Sequence, residues 1–297
     1  MKIKITTFIS ALLIVYSMAC AHQTGNMITV GEHVLWSYIN PIDDPNHHAC
    51  VMIWKDGSEP EVLVQSAFQA SDYMLYTNGK DIYAVERKYS EAKDQFDVRV
   101  LKFAIGVEPV VIWDWFKDDY RIGEGGFFML SDHQMVFSKY PEVYHLEKGE
   151  KPQTYFEFHE PLKRIRAVDK NLILLQGDDS CYLVEQDGNI LKRWDELTDP
   201  RVNNAPLNRN TVFDADYHQG ALLLSYWGNR SFDLIDKNGR RQILLKQSEP
   251  LAPHWVAFRE SEKFLFSSSL IFDGSTPKPH LVSMDEKNKL RVIWDAK

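Results

Sequence analysis

Short apolar runs alternate with tight polar turns from Asn26 to the end of this chain, and the runs come in pairs. Two apolar runs of alternating character joined by Gly, Asn or Asp predict β-hairpins, because side chains on a strand point to opposite faces in turn. The first pair is Ile28–Val30 with His33–Ile39 across Gly31-Glu32, and the second is Tyr73–Thr77 with Asp81–Arg87 across Asn78-Gly79. Phe127–Ser131 pairs with Gln134–Lys139, Ile165–Val168 with Leu172–Gln176, Val212–Asp216 with Ala221–Tyr226, and Trp255–Phe258 with Lys263–Ser268. A second hairpin follows each of these. They are Ala49–Lys55 with Glu61–Gln65, Phe96–Phe103 with Val110–Trp113, Glu142–Glu147 with Thr154–Phe158, Cys181–Glu185 with Ile190–Trp194, Ser231–Asp236 with Gln242–Lys246, and His280–Met284 with Leu290–Trp294.

The turns inside the second hairpins repeat as well. Gly57, Gly106, Gly149, Gly188 and Gly239 recur at intervals of 49, 43, 39 and 51 residues, and Asn288 stands 49 further on in the sixth place. Periods of this size belong to propeller blades. Trp113-Asp114, Trp194-Asp195 and Trp294-Asp295 recur at the ends of outer strands. Four strands repeated six times predict an all-β fold, a six-bladed β-propeller with four antiparallel strands per blade, spanning 27–297 as one domain. Such a sheet cannot bury both faces alone, so every blade must stack on two neighbours.

The stretch Asn210-Thr-Val-Phe-Asp-Ala-Asp216, then Gly220-Ala-Leu-Leu-Leu-Ser225 and Gly228-Asn-Arg-Ser-Phe-Asp-Leu-Ile-Asp-Lys-Asn-Gly239, resembles a blade of NHL-repeat, TolB-like or arylsulfotransferase-like propellers. The resemblance implies the fold and covers one blade well. Arylsulfotransferase propellers carry a histidine just before the strand that opens here at Thr211, where this chain has Arg209-Asn210, so the resemblance does not extend to that chemistry. The Trp-Asp pairs are similar to those of WD repeats, without the accompanying Gly-His.

Residues 1–21 read as an export signal, with Lys2 and Lys4 ahead of the largely apolar Phe8–Met18. Ala19-Cys20-Ala21 fits cleavage before His22, and Ala19 before Cys20 fits lipid attachment to Cys20; both place the mature chain outside the cytoplasm, soluble in the periplasm or tethered to the envelope. The charge of −8 becomes −10 once Lys2 and Lys4 are removed. An acidic chain without a basic stripe is not expected to bind nucleic acid. Cys50 and Cys181 fall in blades one and four, on opposite sides of the axis, beyond disulfide reach; they are expected to be buried thiols.

No Gly-rich phosphate loop, His-Glu-x-x-His or Gly-x-Ser-x-Gly is present, so the sequence leaves open whether the protein is an enzyme. Asp43 and Asp44 with His47-His48, and Asp118-Asp119 with Glu124, lack the spacing of closed zinc or calcium sites, and no metal or cofactor is expected. In a propeller the links between blades and between second and third strands gather on one face. The longest connections fall there, at 114–125, 195–210, 247–253 and 270–278. Beside the channel mouth on that face the reading places Arg121, Arg164, Arg209, His254 and Trp255 as candidate ligand-binding residues, since guanidinium forks suit carboxylate, sulfate or phosphate. The expectation is a single-copy, non-catalytic binding protein for a protein partner or a small polar or anionic ligand. The alternative is a lyase, hydrolase or transferase acting on an anionic or carbohydrate substrate at the channel mouth.

Overall fold

Each blade is a four-stranded antiparallel sheet made from consecutive strands, and among the described residues no strand is shared between blades. The computed structural model describes residues 25–39, 48–69, 71–90, 93–198, 211–249, 251–260, 263–270 and 279–295. From the axis outward each sheet runs in sequence order. The six innermost strands are Met27–Val30, Ser71–Thr77, Phe127–Ser131, Arg164–Asp169, Val212–His218 and Leu251–Glu260, and each lies against the next around the ring. The described residues contain strands and turns but no helix.

The repeated glycines are explained by backbone geometry. Gly57, Gly106, Gly149, Gly188 and Gly239 all have φ between 78° and 89°, and Asn288 takes φ 58° in the sixth turn. Asn is among the residues that tolerate this left-handed region, which is why it can replace glycine there.

Six clusters of buried apolar side chains, among the described residues, fill the six blade-to-blade interfaces. Strand alternation supplies both neighbours: in blade 1, Trp36 packs toward blade 6 while Leu35 packs toward blade 2. The Trp-Asp indoles are part of this packing. The Trp113 indole donates to the Asp132 carbonyl of the next blade at 2.8 Å, Trp194 meets Tyr217 of blade 5 at 5.9 Å, and Trp294 closes the ring against Trp36 and Tyr38 of blade 1 at 5.6 and 4.5 Å. Cys50 and Cys181 are buried, in opposite blades.

An innermost strand has one backbone edge with no partner strand, and those edges face the axis. Neighbouring side chains satisfy them. Asn26 donates from Nδ2 to the Leu75 carbonyl and accepts from the Leu75 amide, both at 2.8 Å, so its amide imitates a paired strand. Gly25 precedes it at a point where a Cβ would come 1.7 Å from the Tyr73 carbonyl oxygen, so only glycine permits the approach.

Candidate functional site at the channel axis

A channel of about 840 Å³ follows the axis. Its wall runs from Asn26, Gly125 and Arg164 near the loop-rich face to Lys80, Lys170 and His218 on the opposite face, which is formed by the hairpin turns. The strand Arg164–Asp169 directs Arg164 and Arg166 to one side, two residues apart, and the strand Val212–His218 does the same with Asp214 and Asp216.

These four charges do not pair symmetrically. Arg166 Nη2 donates to both carboxylate oxygens of Asp214, at 3.1 and 2.9 Å, and its Nη1 donates to the Val256 carbonyl at 3.0 Å and lies 3.1 Å from Asp216. Asp214 also accepts the Val256 amide at 3.0 Å, and Asp216 the Phe258 amide at 2.8 Å. One arginine and two aspartates thus tie together the inner edges of blades 4, 5 and 6. Burial works against the Arg166 charge, but the two carboxylates outweigh it and raise its pKa. Burial also holds the Asp216 carboxyl above its ordinary value, with Arg166 opposing the shift.

Arg164 is different. Its nearest carboxylate oxygen, on Asp214, is 3.9 Å away, and among the described residues its guanidinium makes no hydrogen bond. It rests on aromatic rings, 4.4 Å from the Trp255 centroid and 5.2 Å from that of Phe213. Burial lowers its pKa, and the like charge of Arg166 adds to the shift while Asp214 opposes it.

Two β-bulges place those rings. Pairing of the innermost strand of blade 5 breaks between Val212 and Asp214, and that of blade 6 breaks between Pro253 and Val256. A bulge re-aims side chains, and these two bring Phe213, His254 and Trp255 together. Phe213 stacks on Trp227 at 4.6 Å and on His254 at 5.0 Å, and Trp255 tilts against Phe213 at 5.3 Å. Among the described residues, the buried indole N–H groups of Trp227 and Trp255 have no hydrogen-bond partner. Trp255 also borders a second cavity of about 130 Å³ with Gly25, Asp72, Arg87, Gly123 and Glu124.

Of the five residues expected at the mouth, the structure brings Arg164, His254 and Trp255 together. Arg121 sits at φ 56° in the link between blades 2 and 3, is exposed, pairs with Glu124 at 3.6 Å and borders neither cavity. Arg209 lies outside the described residues, as do Cys20, Asp43, Asp44 and His47. Asp118 accepts the amides of Tyr120 and Ile122 at 2.9 and 2.8 Å, so it fastens its own loop, and Asp119 pairs with Lys117 at 2.6 Å. Among the described residues no cluster of three or more His, Cys, Asp or Glu is arranged around a metal position. Sequence reasoning missed Arg166, Asp214, Asp216 and Phe213. The available signal was the alternation Arg164-x-Arg166 and Asp214-x-Asp216 on innermost strands, where a polar face meets the channel and not bulk solvent.

No protein-family model and no curated protein sequence matches this chain. Solved structures do match in shape. A streptogramin B lyase superposes with a TM-score of 0.50 at 12% identity, over 93% of this chain and 84% of that one. A chain of a nidogen/laminin complex gives 0.51 at 11% identity, over 89% and 90%. This chain is a six-bladed β-propeller. At such identities the likeness shows the fold alone.

Proposed function

We propose that this protein is an exported, non-catalytic binding propeller that holds a small organic anion in its axial channel, with Arg164 as the anchoring cation. The observation that carries the reading is the asymmetry between two arginines on one strand. Arg166 is committed to Asp214, Asp216 and the Val256 carbonyl, whereas among the described residues the Arg164 guanidinium donates no hydrogen bond and borders a cavity. Unused donors in a low-dielectric wall favour a ligand that supplies acceptors, and a planar guanidinium favours carboxylate, sulfate or phosphate. The rings of Trp255 and Phe213 hold Arg164 from behind, which limits the entropy lost on binding.

Binding is favoured over turnover by the placement of His254, the histidine expected at the channel mouth, and by the engagement of Asp214 and Asp216 with Arg166. The His254 ring is buried in the aromatic stack and does not border the channel. Thermal unfolding in the presence of organic carboxylates, sulfates and phosphates tests the reading. A ligand at about a hundred times its Kd adds roughly 2.7 kcal/mol of apparent stability. Arg164→Gln should abolish that gain while leaving unliganded unfolding unchanged. Equal responses from both proteins would reject Arg164 as the anchor.

A further inference from the structure

Resting on that reading, we propose that the ligand is an elongated organic dianion that enters from the turn face, with one acidic group at Arg164 and the other at Lys80 and Lys170. Three observations support this. The channel wall continues without interruption from Arg164 to the hairpin turns, where Thr77, Asn78, Gly79 and Lys80 of blade 2 and Asp169, Lys170 and Gln186 of blade 4 surround its end. Lys80 and Lys170 are exposed there, and among the described residues neither ammonium group has a carboxylate partner. Along the channel, Asp214 and Asp216 are both held by Arg166 and Asp214 stays 3.9 Å from Arg164, so among the described residues the lining cations without a hydrogen-bonded carboxylate are Arg164 at one end and Lys80 and Lys170, next to Asp169, at the other.

The distance between those ends follows from the strand. Lys170 lies six residues beyond Arg164, a rise of roughly 20 Å along extended chain. A compact anion such as sulfate can satisfy one end only. An extended molecule with an acid at each terminus satisfies both, and its middle passes Tyr76, Leu130 and the backbone edges of the inner strands. In a protein whose total charge is −8, two lysines at the mouth of the channel also focus the field that draws an anion in.

The test uses straight-chain dicarboxylates from succinate to hexadecanedioate, each compared with the monocarboxylate of equal length, on the full mature protein by calorimetry and stopped-flow fluorescence. Affinity should rise with length, and the longest diacids should bind at least roughly tenfold tighter than their monoacids. Lys80→Ala/Lys170→Ala, on exposed turns outside the core, should erase that advantage, slow association roughly tenfold and flatten its salt dependence, while short monoacids bind as before. If diacid and monoacid bind alike, or the advantage survives the double substitution while Arg164→Gln still weakens both, the two-ended ligand is wrong and the Arg164 anchor stands. If Arg164→Gln changes nothing, or no acid in the series binds, both readings fail.

Discussion

Arg166 and Asp214 meet through a single guanidinium nitrogen that donates to both carboxylate oxygens, at 3.1 and 2.9 Å, and this contact joins blade 4 to blade 5 at the axis. The same carboxylate accepts the Val256 amide, so blade 6 is held as well. Arg164, two residues earlier, borders the cavity and among the described residues makes no hydrogen bond, with Asp214 3.9 Å away and the Trp255 and Phe213 rings against it. The contrast separates a residue that holds the ring from the one proposed to anchor a ligand.

Replacing Arg166 should therefore act on stability. Arg166→Gln leaves Asp214 and Asp216 as buried carboxylates without their cation and should cost about 3–5 kcal/mol in urea unfolding. Arg164→Gln, measured alongside, should change the midpoint little.

Asn26 should matter more than a lone surface amide. Asn26→Ala removes both hydrogen bonds to Leu75 and exposes an inner-strand edge, a loss of about 2–3 kcal/mol. Hydrogen exchange at the Leu75 amide should accelerate, with blade 5 amides unaffected.

Among the described residues no strand is shared, so side chains join the first and last blades. Trp294 on Trp36 and Tyr38, the Arg259–Asp56 pair at 2.6 Å and the Thr29 hydroxyl on the Phe258 carbonyl join blade 6 to blade 1. Trp294→Ala should cost about 2–4 kcal/mol and should release the first and last blades to limited proteolysis before the others.

The pH response has two opposed parts. The Lys102 ammonium, hydrogen-bonded to Asp132, holds that carboxyl below its ordinary value of 3.8, and the Tyr83 hydroxyl helps. A depressed folded pKa contributes stability that is present above the ordinary value and is lost as pH falls through the lowered one. Asp132→Asn should thus weaken the fold at neutral pH, by less than about 1 kcal/mol because the pair is partly exposed, and remove part of the loss below about pH 4. Burial raises the Asp118 carboxyl, so its contribution runs the other way and declines as pH rises through its folded pKa. Urea titrations from pH 3 to 7 distinguish the two.

Export predicts a processed N-terminus. Intact mass should show a chain beginning at His22, or at Cys20 with lipid, and an uncleaved Met1 in the mature fraction would contradict it.

The blades were legible because hairpin alternation and the glycine period are local. Several observed strands extend those read from the sequence, most of all in blade 2, where Val110–Trp113 becomes Val107–Lys117 despite Pro109; an outermost strand has a free edge that tolerates proline. The innermost strand of blade 6 was read as starting at Trp255 and begins at Leu251, because the bulge across His254 and Trp255 interrupts the alternation without ending the strand. Bulges depend on the neighbouring strand's register, which no local pattern records. The channel charges were hidden for a related reason: on an innermost strand, Arg166 or Asp214 alternates with apolar neighbours just as a solvent-facing residue does.

A crystal structure of the protein with a long-chain dicarboxylate tests the central claim most directly. The account predicts a carboxylate within hydrogen-bonding distance of the Arg164 guanidinium, inside the channel. Density for the acid on the outer rim of the blades, with the Arg164 end of the channel holding only water, would contradict it.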